Sequence, residues 1–324
     1  MTTITKLKAA KYRDRLPQRS SKVFLTDGGM ETTLIYHNGI DLPCFAAFTL
    51  LRTPEGVAQT RAYYARYAAM AQRSGMGFVL ETPTWRANAD WGAKLGYSPE
   101  ELAAANRQAV ALMAELRAEF ETARSPMVIS GAIGPRGDGY NPDRLMSAQE
   151  ARDYHAEQIA TLRDTAADMV TAFTLNYVNE GIGVALAAKQ AGMPAVISFT
   201  VETDGKLPTG ETIKEAITAV DAASGGAPVY YMINCAHPTH FRDALKTGEA
   251  WVDRIGGLRA NASRRSHAEL DVATELDAGD PREFGELHAE LRRLLPRATV
   301  LGGCCGTDHR HVEHIAMVCE AVAA

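Results

Sequence analysis

Two adjacent thiols, Cys304 and Cys305, stand in the stretch Val300-Leu301-Gly302-Gly303-Cys304-Cys305-Gly306-Thr307-Asp308, near the end of a 324-residue chain. An apolar run of β-type residues from Ala298 to Leu301 leads into them. Neighbouring side chains on a strand point to opposite faces, so both thiols can serve one ion only where the backbone has left the strand. Gly302, Gly303 and Gly306 permit such a turn. A third thiol, Cys235, closes the apolar run Val229-Tyr230-Tyr231-Met232-Ile233-Asn234. Three thiolates fill three positions of a tetrahedral zinc ion (Zn2+) and leave one open, the pattern of a catalytic rather than a structural site. Two other readings of the Cys-Cys pair stay open here, as small buried residues in a turn or as a vicinal disulfide.

For thiols 69 residues apart in the chain to meet, the intervening elements must return strand ends to one place. Eight short β-rich runs supply such ends: Val23–Thr26, Gly77–Leu80, Met127–Ser130, Met169–Thr174, Ala195–Thr200, Val229–Asn234, Leu258–Ala262 after Gly256-Gly257, and Ala298–Leu301. Most are separated by segments of helical periodicity, such as Pro54 to Ser74 closed by Gly75, and a helix capped by Ser98 with Glu101 at capping-box spacing. The pattern predicts an α/β fold, a (β/α)8 TIM barrel over residues 21–324 forming a single catalytic domain, preceded by an N-terminal arm over residues 1–20 that is frayed or a short helix. A doubly wound open sheet is the fallback, and it brings the sixth and eighth strand ends together less naturally. The glycine-rich stretch Gly131 to Gly139 lacks the Gly-Lys-Ser/Thr of a phosphate loop.

Composition narrows the partners. With 46% hydrophobic and 23% charged residues and a net charge of -5, the chain carries no basic footprint for nucleic acid. No apolar run approaches the ~20 residues that span a bilayer, and the basic first twenty residues lack the apolar core of a secretory signal. Five cysteines, an odd number, point away from a disulfide framework and towards a reducing compartment. The expectation is a cytoplasmic protein acting on small molecules; a homo-oligomer is compatible with it.

The motifs Asp27-Gly28-Gly29, Gly131-Ala132-Ile133-Gly134-Pro135, Ile233-Asn234-Cys235 and Gly302-Gly303-Cys304-Cys305-Gly306 together resemble the homocysteine S-methyltransferase family, over about residues 21 to 322. The resemblance implies a zinc-dependent barrel enzyme that moves a methyl group from a small sulfonium or quaternary ammonium donor to a thiol, with homocysteine giving methionine. By motif position it implies Cys235, Cys304 and Cys305 as zinc ligands and catalytic centre, with Asp27, Gly28 and Asn234 lining the thiol's pocket. Trp85 is placed to face a donor cation, since indole is the strongest aromatic partner for onium groups; it also reads as a packing residue at the barrel rim. Arg86 offers itself to a carboxylate on donor or acceptor, or to solvent.

The chain departs from the family pattern after the fourth strand. There the family usually carries a glutamate for the amino group of homocysteine, and Leu175 or Asn176 takes that position here; Met232 replaces the usual glycine before Asn-Cys. Glu81 and Glu202, each just past a strand end, are the candidate substitutes. Three other chemistries remain: methyl transfer to a different thiol, a zinc hydrolase or other non-methylating barrel in which His237 would be the ligand to check, and a metal-free cysteine nucleophile paired with His237 or His309.

Overall fold

The computed structural model describes residues 9–142 and 144–320. Its strands are β1 (Phe24–Leu25), β2 (Gly77–Glu81), β3 (Met127–Ile133), β4 (Met169–Leu175), β5 (Ala195–Phe199), β6 (Tyr230–Asn234), β7 (Ile255–Ala260) and β8 (Val300–Gly303). They pair in parallel in sequence order, and β8 pairs back to β1 through Phe24–Val300 and Leu25–Leu301, closing the barrel. Closure rules out the open sheet. The major helices are α1 (Pro54–Ser74), α2 (Ala89–Lys94), α3 (Pro99–Phe120), α4 (Ala148–Arg163), α5 (Val178–Ala191), α6 (Ile213–Ser224), α7 (Pro238–Phe241), α8 (His267–Asp271), α9 (Pro281–Leu294) and α10 (His309–Glu320). Among the described residues no helix is long and apolar enough to cross a membrane.

Helix starts follow from local chemistry. Ser98, Ser147, Thr212 and Ser266 each accept a hydrogen bond from the backbone N–H three residues on and receive a glutamate back, so two orphan donors are satisfied at each N-terminus. The strands are buried on both faces, which is why they read as apolar runs rather than alternating ones. Phe24, Val79, Val128, Met169, Val196, Tyr230, Met232 and Val300 fill the barrel interior, while a second, larger core lies between strands and helices.

Two expectations change. β7 starts at Ile255, so Gly256 and Gly257 lie inside the strand rather than before it. A Cβ at Gly256 would stand 2.6 Å from the Tyr230 ring, and one at Gly257 would stand 2.8 Å from the Val300 carbonyl oxygen. Close strand packing requires these glycines. The second change is the arm, whose described part from residue 9 onward is docked rather than frayed. The backbone N–H groups of Lys11 and Tyr12 donate to Asp168 Oδ1 at 2.8 and 2.7 Å. Leu16 joins the interior cluster and closes the N-terminal end of the barrel. Residues 1–8, with Lys6 and Lys8, lie outside the described residues.

Candidate active site

At the C-terminal end of the barrel the Sγ atoms of Cys235, Cys304 and Cys305 all lie within 4.8 Å of one another. Those of Cys235 and Cys304 are in bonding contact, with Cα atoms 5.5 Å apart, and Cys305 Sγ is 3.9 Å from Cys235 Sγ. Among the described residues no His, Asp or Glu joins the cluster. His237 Nδ1 is engaged by Thr239 at the start of α7, and burial pulls its pKa down to about 3. It is a helix cap rather than a fourth ligand. His309 faces Arg66 at 3.2 Å, and the imidazole of His311 contacts Asp308 and the Ala278 carbonyl.

The backbone turns that aim the thiols come from unexpected places. Cys235 and Thr174 both adopt the left-handed region, φ 54° and 59°, which costs a non-glycine residue roughly 1–2 kcal/mol. Asn234 holds both: its Oδ1 accepts from the Thr174 N–H at 2.9 Å and from Ser198 Oγ at 2.6 Å, and its Nδ2 donates to Thr174 Oγ1 at 2.9 Å. Thr174 Oγ1 in turn stands 3.8 Å from Cys235 Sγ. After β8 the chain turns at Gly306 (φ 78°) alone. Gly302 and Gly303 belong to the strand, where a Cβ would strike Thr26 Oγ1 and Thr307 Oγ1.

A cavity of about 300 Å³ opens above the thiols, and Asp27, Gly28, Glu81, Trp85, Arg86 and Asn234 all line it. Asp27 pairs with Arg259 at 2.9 Å and accepts from Tyr63 Oη at 2.9 Å. The Gly28 carbonyl accepts from Tyr63 and Arg259. Glu202 does not line the cavity; it faces His267 Nδ1 at 3.1 Å on the rim. Neither Leu175 nor Asn176 lines it either. Leu175 is buried in the outer core, Asn176 donates to the Asp138 carbonyl, and Phe173 and Thr174 are the β4 residues at the cavity. The left-handed turn at Thr174 displaces the register that counting along the strand suggests.

Of the cavity residues that escaped the sequence reading, Arg259, Glu31, Thr174 and Tyr140 bear on its chemistry. Arg259 is a buried charge inside an apolar strand, an anomaly visible in Leu258-Arg259-Ala260. Glu31 follows the Asp-Gly-Gly motif and lines the cavity, where burial raises its pKa. Thr174 has no sequence signal. Tyr140, beyond the glycine-rich stretch, places its hydroxyl 3.4 Å from Cys305 Sγ and stacks on His267 with ring centroids 4.0 Å apart.

The homocysteine S-methyltransferase family model matches residues 24–319. The chain belongs to the homocysteine S-methyltransferase family. Its fold is that of the homocysteine methyltransferase MmuM from Escherichia coli: the oxidized form matches at 20% identity over 93% of this chain and 97% of that one, TM-score 0.70. The metallated form matches at 19% identity over 91% and 96%, TM-score 0.69. The protein is thus an S-methyltransferase of the type that methylates the thiol of homocysteine, and its three clustered thiols could hold a metal ion.

In this methyltransferase Glu81 is the unusual acid. It is 3% exposed, its Oε2 has no hydrogen-bond partner among the described residues, and burial pushes its pKa up to about 8, opposed by nearby Arg259. Between the ordinary glutamate value and 8 the folded protein therefore holds a proton that the unfolded chain has released. The stabilisation is present in full below the unfolded pKa and is lost as pH rises through 8. The unfolding free energy of the parent, from urea titrations, should fall between pH 5 and pH 8.5 relative to that of Glu81→Gln, by on the order of a few kcal/mol. Parallel pH curves for the two proteins would mean that Glu81 is ionised throughout.

Proposed function

We propose that the protein is a zinc-dependent S-methyltransferase of a reducing, cytoplasmic setting that transfers a methyl group from a small sulfonium or quaternary ammonium donor to homocysteine, giving methionine. The observation that carries the reading is the convergence of three strand-end thiols, without a fourth protein donor among the described residues, on the floor of one cavity. Reduced Cys235, Cys304 and Cys305 suit Zn2+, which prefers soft thiolates in tetrahedral geometry. When bound, the ion supplies an open position that keeps a substrate thiol deprotonated at neutral pH, where a free thiol with pKa ~8.5 is mostly protonated.

The residues around it position and desolvate the reactants. Asn234 and Thr174 hold the turn that aims Cys235 into the cavity. Tyr140 sets its hydroxyl beside Cys305 Sγ. In the transfer itself the acceptor sulfur's electron pair forms the new S–C bond, the donor's onium–carbon bond breaks, and the donor leaves as a neutral thioether or amine. The two charges cancel as the reaction proceeds, so a dry cavity with reactants held in line contributes much of the rate. A metal-free cysteine nucleophile is disfavoured because the polar neighbours of Cys305 Sγ are Tyr140 and Cys235, with no imidazole or carboxylate in reach among the described residues.

Glu81 is the residue assigned to the amino group of homocysteine. Asp27, Glu81 and Arg259 set two acids against one cation, and an ammonium docking at the unpartnered Glu81 oxygen would stabilise the carboxylate and release the proton that Glu81 otherwise holds. The test is transfer of an isotope-labelled methyl group by the zinc-loaded protein across onium donors, with homocysteine and 3-mercaptopropionate as acceptors. Methionine should form, and kcat/KM should favour homocysteine; in Glu81→Gln that preference should shrink by roughly ten- to a hundredfold, the worth of one charge-assisted hydrogen bond. No transfer from any onium donor overturns the reading. A parent that prefers 3-mercaptopropionate assigns the enzyme to a different thiol.

A further inference from the structure

Asn234 and Thr174 fix the chain as it enters the left-handed turn at Cys235, and a residue held at φ 54° keeps that conformation only where its surroundings determine it. The peptide leaving the turn is fixed as well. The Cys235 carbonyl accepts from His267 Nε2 at 2.7 Å and from Thr200 Oγ1 at 3.3 Å, while the Cys235 N–H donates to the Arg259 carbonyl at 3.1 Å. His267 is a buried residue of α8, 32 positions along the chain from Cys235. Its Nδ1 faces Glu202 Oε1 at 3.1 Å. A carbonyl and a carboxylate are both acceptors, so the ring satisfies the two only with a hydrogen on each nitrogen, and the Glu202 carboxylate lies beside the ring it orients.

The face of the same ring carries a second contact. Tyr140 stacks on it with centroids 4.0 Å apart and planes 28° apart, and the tyrosine hydroxyl ends 3.4 Å from Cys305 Sγ. One imidazole thus holds, by its edge, the backbone of the thiol after β6, and supports, on its face, the side chain that reaches a thiol after β8. The loop that bears His267 is anchored independently of both contacts. Ser266 and Glu269 form a capping box at the start of α8, and His240 Nε2 donates to the Arg264 carbonyl at 2.9 Å. Neither anchor hydrogen-bonds a thiol among the described residues, so holding the loop and aiming Cys235 are separable roles.

Resting on the reading of the three thiols as a zinc centre, we propose that His267 and Glu202 are positioning residues for Cys235: Glu202 orients the imidazole, the imidazole pins the Cys235 carbonyl, and the pinned peptide aims Sγ at the point where the thiols converge. A left-handed cysteine released from this clamp relaxes towards negative φ and carries its Sγ away from the other two. Neither His267 nor Glu202 lines the cavity, so their effect falls on metal affinity and thiol exposure rather than on KM.

The test reads metal and thiol apart from turnover. The reduced full-length protein is loaded with zinc and titrated with a chromophoric chelator. His267→Ala should weaken zinc binding roughly ten- to a hundredfold, the usual cost of losing a group that supports a metal ligand. Glu202→Ala should weaken it about three- to tenfold, the worth of one ordinary hydrogen bond, and Glu202→Gln, which keeps an acceptor oxygen, by less. His240→Ala frees the same loop without touching the clamp and should leave zinc affinity unchanged. With cobalt in place of zinc, the thiolate-to-metal absorption should change in His267→Ala and stay as in the parent in His240→Ala. In the reduced, metal-free protein, iodoacetamide should alkylate Cys235, which is 4% exposed in the parent, severalfold faster in His267→Ala, with Cys319 unaffected. Equal zinc affinity in the parent and His267→Ala, or an equal loss in His240→Ala, overturns the clamp. Should His267→Ala fail to fold, Glu202→Ala decides, because the Glu202 side chain is 35% exposed at the rim and its removal opens no core; zinc affinity and Cys235 alkylation both unchanged there overturn the proposal. A parent that binds no zinc, but whose Cys235 becomes reactive in His267→Ala, keeps the clamp and sinks the zinc reading; a parent that binds zinc and transfers methyl groups, with every variant equal to it, does the reverse.

Discussion

Replacing Cys304 by alanine should remove the metal from the reduced protein and, with it, methyl transfer. Structural zinc sites bind with about 10–16 kcal/mol shared among four ligands, so one thiolate contributes roughly 2.5–4 kcal/mol and its loss weakens binding by about 10²–10³-fold. A three-thiolate site has no spare protein ligand to compensate, since no other Cys, His, Asp or Glu reaches the cluster among the described residues. Elemental analysis after dialysis should give about one zinc per chain in the parent and close to none in Cys304→Ala or Cys305→Ala. Cys44→Ser and Cys319→Ser serve as controls, because Cys44 and Cys319 lie outside the cluster. Full zinc retention by Cys304→Ala would discard the site, whatever happens to activity.

The second large effect concerns stability at the opposite end of the barrel. Asp168→Ala should lower the free energy of unfolding by about 4–6 kcal/mol, because it strands a buried arginine and leaves three buried or half-buried N–H donors without an acceptor. Asp168 is fully buried; its Oδ2 accepts from Arg117 Nη1 at 2.7 Å and from the Ile129 N–H at 2.9 Å, while its Oδ1 accepts from Lys11 and Tyr12. One carboxylate thus ties the N-terminal arm, α3 and β3 to the segment entering β4. The stranded charge makes up much of the loss, so Arg117→Met combined with Asp168→Ala should unfold at higher urea than Asp168→Ala alone. A cost below about 1 kcal/mol for Asp168→Ala would mean that water replaces these partners and that the arm contributes little.

Much of this protein was legible in the sequence because its signals are local. A strand buried on both faces reads as an apolar run, a helix start reads as Ser-x-x-Glu, and a helix end reads as glycine, so eight strand–helix units could be counted and the barrel followed from their order. Residue type likewise singled out Cys235, Cys304 and Cys305, since three thiols after apolar runs have few other uses.

What the tertiary structure alone decided are pairings between groups far apart in the chain, which depend on the register at which the barrel closes. Arg259 meets Asp27 across 232 positions, and Asn234 bends Thr174 into the cavity in place of Leu175 or Asn176. Glu81 and Glu202 looked equivalent as acids just past strand ends. Closure buries the first in the cavity and leaves the second on the rim with His267. Gly256 and Gly257 read as residues ahead of the seventh strand until the Tyr230 ring and the Val300 carbonyl showed what stood where their side chains would be. Local propensity reports the conformation a segment prefers; which side chain then faces which is determined by contacts that exist only once strands β1 and β8 have met.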